Sequence, residues 1–127
     1  MQLGVVGLPD RHLDLDRFKE FNDEHGHQAG DRQLKQIAAI WRDVLRPTDV
    51  LARYGGEEFV VLLPNCALDR AIDVIERLRG IIPDGETCSA GVACWDRLEG
   101  AEALVSRADD ALYRAKREGR DRVVSAA

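Results

Sequence analysis

The sequence predicts an α+β domain built on a central, mostly antiparallel sheet flanked by helices. Three observations carry that expectation. Short apolar runs of strand length alternate with longer stretches at helical spacing. Two of those runs, residues 50–54 and 59–63, are separated only by Gly55-Gly56-Glu57-Glu58. Paired glycines tolerate the positive φ of a tight turn, so this segment reads as a β-hairpin. Finally, 127 residues with 45% hydrophobic and 32% charged side chains suit one core in one domain, spanning residues 1–127, rather than a disordered chain.

The elements follow in order. Leu13-Asp14-Leu15-Asp16 alternates like the end of a strand, with both carboxylates on one face. Residues 18–25 read as a short helix stopped near Gly26. Asp31 opens a longer helix in which Leu34, Ile37, Ala38, Trp41, Val44 and Leu45 keep helical spacing, and Pro47 ends it. Pro64-Asn65 closes the second hairpin strand, and Leu68, Ala71, Ile72, Ile75 and Leu78 mark another helix. Residues 87–95 are strand-like. Leu104, Val105, Ala108, Ala111, Leu112 and Ala115 mark the last long helix, with Gly119 near its C-cap, and residues 122–125 form a final strand. The order β-α-α-β-β-α-β-α-β, with helices on one face of the sheet, suits a ferredoxin-like or polymerase-palm sandwich. Folds of this kind host many activities, so function has to be read from the site.

A formal net charge of -5 argues against a partner that is a nucleic-acid polymer, but leaves room for a nucleotide held by local cations and metals. Cys66, Cys88 and Cys94 form no CxxC pair and are odd in number, which reads as reduced thiols in a cytoplasmic protein without a zinc site. No apolar run approaches the ~20 residues of a membrane span. The opening Met1-Gln2-Leu3-Gly4 lacks the basic start of a signal peptide.

Two groups of acids stand where chain features present them: Asp14 and Asp16 at a strand end, Glu57 and Glu58 on the hairpin turn. If those strands are neighbours, Asp14 and Glu58 meet at one edge. Carboxylates that close repel unless protons or cations neutralise them. Hard oxygen ligands beside substrate phosphates are what Mg²⁺ prefers, and two such ions polarise a phosphate and activate a hydroxyl. Solvated surface acid is the competing reading and is as strong as the functional one for Asp16 alone. It is weaker for Gly-Gly-Glu-Glu-Phe, because a neutral turn would serve stability as well.

At these residues the chain resembles a known family. Arg53-Tyr54-Gly55-Gly56-Glu57-Glu58-Phe59-Val60-Val61-Leu62-Leu63-Pro64 is similar to the signature of the GGDEF family, diguanylate cyclase catalytic domains, in its Glu-for-Asp form. Leu13-Asp14-Leu15-Asp16-Arg17-Phe18-Lys19-Glu20-Phe21-Asn22-Asp23 resembles the family's metal strand and following helix. Ser89-Ala90-Gly91-Val92-Ala93 resembles a later strand. Ala108-Asp109-Asp110-Ala111-Leu112-Tyr113-Arg114-Ala115-Lys116 with Gly119-Arg120-Asp121-Arg122-Val123 resembles the C-terminal helix and strand.

The resemblance implies an enzyme that condenses two GTP into cyclic di-GMP and two pyrophosphates by two-metal phosphoryl transfer in a transient homodimer. It implies that Asp14, Glu58 and the Leu15 carbonyl hold two Mg²⁺ or Mn²⁺ ions per site. Glu57 would help activate the 3′-hydroxyl and share a metal. Gly55 and Gly56 would let the nucleotide approach the backbone, and Asn22 and Asp31 would read the guanine edge. Phe18 would also belong to the substrate site, and Lys19, Lys116 and Arg120 would meet the phosphates. On their residues alone, Asn22 and Asp31 also read as helix caps. Lys116 and Arg120, four apart on one side of the last helix or its end, also read as partners of its dipole.

Arg46-Pro47-Thr48-Asp49 stands six residues before Gly55, where the family carries an RxxD inhibitory product site. Both side chains are expected to face solvent, away from the catalytic turn. A helix-end ion pair is the alternative. The start departs from the family: residues 1–12 are atypical, and a helix and much of the first strand are shortened or replaced. No sensory or dimerising domain is expected ahead of the catalytic one. An alternative function is therefore a catalytically weak GTP or cyclic di-GMP binding module.

Overall fold

The computed structural model describes residues 27–53, 58–83 and 86–126. The expected first strand with Asp14, Leu15 and Asp16, the short helix carrying Phe18, Lys19 and Asn22, the atypical start, and Gly55, Gly56 and Glu57 lie outside the described residues.

Helix α1 spans His27–Val44 and buries Leu34, Ile37, Ala38 and Trp41, the stripe expected from the spacing. It starts four residues before Asp31, so the N-cap reading of Asp31 is corrected: that residue lies in the second turn, where backbone donors already have helical partners. The last helical bond runs from Leu45 N–H to the Trp41 carbonyl at 3.1 Å. Pro47 then disfavours helical backbone at Arg46.

Strands β1 (Val50–Arg53) and β2 (Phe59–Leu62) pair antiparallel, with Arg53 opposite Phe59 and Val50 opposite Leu62, so the hairpin holds as read. Helix α2 spans Leu68–Gly80 and buries Ala71, Ile75 and Leu78. Strand β3 is only Ala90–Val92, shorter than the strand-like stretch expected over residues 87–95. The chain leaves the ladder because the Trp95 indole donates to the Glu99 carbonyl at 2.8 Å and the Arg107 fork grips the Glu99 carboxylate, curling residues 95–99 into a loop. Helix α3 spans Ala101–Arg117, and β4 (Val123–Ser125) pairs parallel with β3.

The alternation of β2 and β3 divides the core in two. Phe59, Val61 and Leu63 pack with Ala90 and Val92 against α1 and α2. Val60 and Leu62 pack on the opposite side with Ala93, Leu104 and Ala108. The expectation of helices on one face is thus corrected: α1 and α2 cover one face and α3 the other, because both sets of alternate side chains in these strands are apolar. Gly91 shows how close α3 comes. A Cβ there would overlap the Ala108 carbonyl and the Leu112 nitrogen and lie 2.9 Å from the Leu112 Cα. Only glycine lets helix backbone meet strand backbone at that distance.

Candidate active site

The hairpin turn is anchored by the residue that follows its acids. Phe59 is almost wholly buried and meets Trp41 edge-to-face, with ring centroids 5.1 Å apart. Trp41 is itself fixed by its indole N–H, which donates to the Leu78 carbonyl at 2.9 Å. An aromatic pair of this geometry adds about 1 kcal/mol beyond its buried area. The half-buried Glu58 is therefore held at the head of β2 by its neighbour's burial. Its carboxylate is a hard oxygen donor that suits Mg²⁺ or Mn²⁺. Among the described residues no group of three His, Cys, Asp or Glu side chains is placed to hold a metal ion.

Asp31 lies beside the hairpin. Its Oδ1 accepts from the Arg53 guanidinium, and its Oδ2 sits 3.0 Å from Lys35 Nζ. The hydrogen bond from Arg53, then that from Lys35, holds the Asp31 carboxyl below the ordinary aspartate value. A carboxylate has about four acceptor positions. Two cations therefore leave Asp31 able to accept from a guanine N1–H and amino group. Arg53 was missed as a site residue, although its place at the mouth of the hairpin was legible.

At the other end of the structure, α3 closes in a Schellman motif. Arg120 N–H donates to the Ala115 carbonyl at 2.9 Å and Gly119 N–H to the Lys116 carbonyl at 3.4 Å, with Gly119 at φ +121°. Arg120 thus stands beyond the helix, at its end, rather than on one side of it with Lys116. Arg120 and Asp121 also have positive φ, +65° and +47°. For arginine this backbone is uncommon and costs about 1–2 kcal/mol. Arg120 Nη1 is buried and has no hydrogen-bond partner among the described residues. Lys116 is half-buried on the last turn of α3.

The RxxD segment is neither fully exposed nor loose. The Asp49 side chain is only 3% exposed, which corrects the expectation that both residues face solvent. Its Oδ2 accepts from the Arg46 backbone N–H at 2.8 Å, and its Oδ1 from Arg46 Nη2 at 2.8 Å. Arg46 Nη2 also donates to the Pro64 carbonyl at 2.8 Å. The helix-end ion pair is therefore present. It leaves Nη1, with two donors, open on a side chain about half exposed. A cavity of about 220 Å³ adjoins the pair, with Asn65, Cys66, Arg70 and Arg77 also on its wall. Burial, first of all, pushes the Cys66 thiol up, so it is a protonated lining group and not a nucleophile. Arg70 and Arg77 were missed, yet Arg70, Val74 and Arg77 follow i, i+4, i+7 spacing, which puts them on one stripe of α2.

An antiparallel hairpin with Glu58 at the head of its second strand, a cation-bearing helix end and helices on both sheet faces define a palm-like α+β domain. The family model described as "Diguanylate cyclase, GGDEF domain" matches residues 12–122, and the chain belongs to the GGDEF family. Diguanylate cyclase DgcP of Pseudomonas aeruginosa is 50% identical over 121 residues, 87% of this chain and 18% of DgcP. The chain therefore spans less than a fifth of that relative. The GGDEF domain of DgcB from Caulobacter crescentus, solved with c-di-GMP, aligns with a TM-score of 0.80 at 33% identity, over 98% of this chain and 77% of the other. The active GGEEF domain of a diguanylate cyclase from Vibrio cholerae aligns with a TM-score of 0.83 at 28% identity, over 100% and 84%. No helix among the described residues is long and apolar enough to cross a membrane.

Proposed function

We propose that this domain is a diguanylate cyclase that condenses two GTP into cyclic di-GMP and two pyrophosphates, working in the cytoplasm. The observation that carries this reading is the hairpin, with Gly55-Gly56-Glu57-Glu58 joining two paired strands and Phe59 sunk into the core behind the acids. Each 3′-hydroxyl attacks the α-phosphorus of the other GTP, the bond to pyrophosphate breaks, and the hydroxyl proton passes to Glu57. Each domain carries one GTP, so two must meet as a transient homodimer. Asp14, Glu58, the Leu15 carbonyl and Glu57 would hold two Mg²⁺ or Mn²⁺ ions, which polarise phosphate oxygens and acidify the hydroxyl. Asn22 and Asp31 read the guanine, Phe18 borders it, and Lys19, Lys116 and Arg120 hold the phosphates. Gly55 and Gly56 let the nucleotide lie against the backbone.

Cyclic di-GMP binds at Arg46 and Asp49 and restrains the enzyme. The open Nη1 of Arg46 supports this, because the Asp49 pair orients the guanidinium before any ligand arrives. Arg70 and Arg77 add charge to the same cavity.

Incubation with GTP and Mg²⁺ followed by chromatography tests the reading. Cyclic di-GMP is expected from GTP and nothing from ATP, with a rate per chain that rises with protein concentration. Glu58→Gln should abolish turnover and leave the fold intact; near-native activity would remove Glu58 from the site. The cavity beside Arg46 supports a second reading, a binding module. Product binding without any turnover, across a wide range of protein concentration, would select it.

A further inference from the structure

Three consecutive residues, Gly119, Arg120 and Asp121, hold positive φ. Glycine does so freely and aspartate tolerably, but arginine does not. Something outside the turn must therefore hold it. Its own helix supplies the Schellman bonds, which end at Arg120 N–H. Arg122 Nε adds a bond to the Arg120 carbonyl at 3.0 Å from within the same segment. A tie from elsewhere in the fold comes from α2. Arg79, at its C-terminal end, is mostly buried, and its Nη1 donates to Asp121 Oδ1 at 2.6 Å and to the Cys88 carbonyl at 3.0 Å. Its Nη2 meets the Glu76 carboxylate at 3.0 Å. A link that only joined α2 to the chain before β3 would be complete with Cys88, since Glu76 is on α2 itself. The further use of Nη1 on Asp121 brings the strained turn under the same guanidinium.

We propose that Arg79 is a positioning residue for the triphosphate: through Asp121 it holds the turn that aims Arg120, and without it Arg120 loses its left-handed backbone. This rests on the reading of Arg120 as a phosphate contact. Arg79 touches no substrate, and its effect passes entirely through Arg120. The same helix carries Arg70 and Arg77 on the product cavity, so α2 bears on both ligands.

The test uses 3′-deoxy-GTP, which lacks the attacking hydroxyl and binds without turnover, with guanosine as a control. Affinities are measured by calorimetry for Arg79→Gln, Arg120→Ala, the double variant, Asp121→Ala and Asp121→Asn. Asp121→Ala breaks the link from its exposed end and leaves the ties of Arg79 to Cys88 and Glu76 in place, which guards against a misfolded Arg79 variant. Roughly tenfold weaker 3′-deoxy-GTP binding is expected for Arg79→Gln, Arg120→Ala and Asp121→Ala, with guanosine affinity unchanged. The double variant should be no worse than Arg120→Ala, since coupled residues are not additive. Asp121→Asn keeps an acceptor oxygen and tolerates positive φ, so it should bind as the parent does. Multiplying effects in the double variant, or equal losses for guanosine, would overturn the proposal. If Arg120→Ala alone changes nothing, the phosphate role of Arg120 falls. Backbone chemical shifts of residues 119–122 then decide the positioning by themselves: a departure from left-handed values in Arg79→Gln upholds it, and unchanged shifts reject it.

Discussion

Two helices of this domain end by handing an arginine to the chain that follows, and the two ends are unlike. At the end of α1, the Arg46 guanidinium is matched by a nearly buried aspartate and a backbone carbonyl. At the end of α3, Arg120 holds an uncommon backbone and buries a donor with no partner among the described residues. The first end is complete without ligand and offers only spare donors. The second is strained. A cation already paired within the fold offers a ligand only its spare donors, whereas one on an uncommon backbone is aimed by the turn that holds it.

The contrast can be broken most severely at Gly91. Gly91→Ala forces α3 off β3 and should cost about 3 kcal/mol, the upper end of overpacking, with a fall in Tm of roughly 10 °C. Below that temperature GTP binding should suffer and cyclic di-GMP binding survive, because Val44 and Leu45 at the end of α1 pack in the other half of the core from Leu104 and Ala108 of α3; calorimetry with both ligands would show it, and equal losses would tie the two ends together. Next comes Arg46→Ala, which leaves the Asp49 carboxylate with only the Arg46 backbone N–H as its remaining bonded donor here. The urea midpoint should fall slightly and product affinity should be lost. An unchanged urea midpoint would mean that the pair is decorative. Arg77→Ala is gentler. It should weaken cyclic di-GMP binding by about tenfold without moving the urea midpoint, since its exposed side chain lines the cavity.

The smallest effect concerns Asp31. Its carboxyl is held below the ordinary value of 3.8 by Arg53 and Lys35. The stabilisation from that pairing is present above the unfolded aspartate pKa and is lost as pH falls through the depressed folded value. An NMR titration should place Asp31 below 3.8, and Arg53→Gln should bring it back up; no change on that substitution would assign the shift elsewhere.

Much of this was legible in the sequence because it depends on periodicity. The stripe from Leu34 to Trp41, the hairpin around Gly55-Gly56 and the C-cap at Gly119 follow from spacing and glycine alone. Helices on both sheet faces were not foreseen, although Phe59-Val60-Val61-Leu62 is apolar at every position, the mark of a strand buried on two sides. The start of α1 was placed late because Asp31 resembled a cap and the residues before it carry no breaker stronger than Gly30. Of the candidate site, residue types were readable but partners were not. Nothing local says that Asp49 turns inward to Arg46 or that Arg79 reaches Asp121 across 42 positions, since such pairs exist only after the chain has folded.

The two ladders also differ in the length of chain that closes them. β1 and β2 meet across residues 54–58, whereas β3 and β4 pair in parallel only after the crossover of residues 93–122. Loop closure and contact order favour the short connection in time. The β1–β2 hairpin can therefore form early on a folding chain, while the turn bearing Arg120 must wait for α3 to dock on Gly91. Pulse-labelled amides in β2 should gain protection before those in β4, and an early β4 would reverse the order. On this ordering, the turn bearing Arg120 is the last part of the domain to be built.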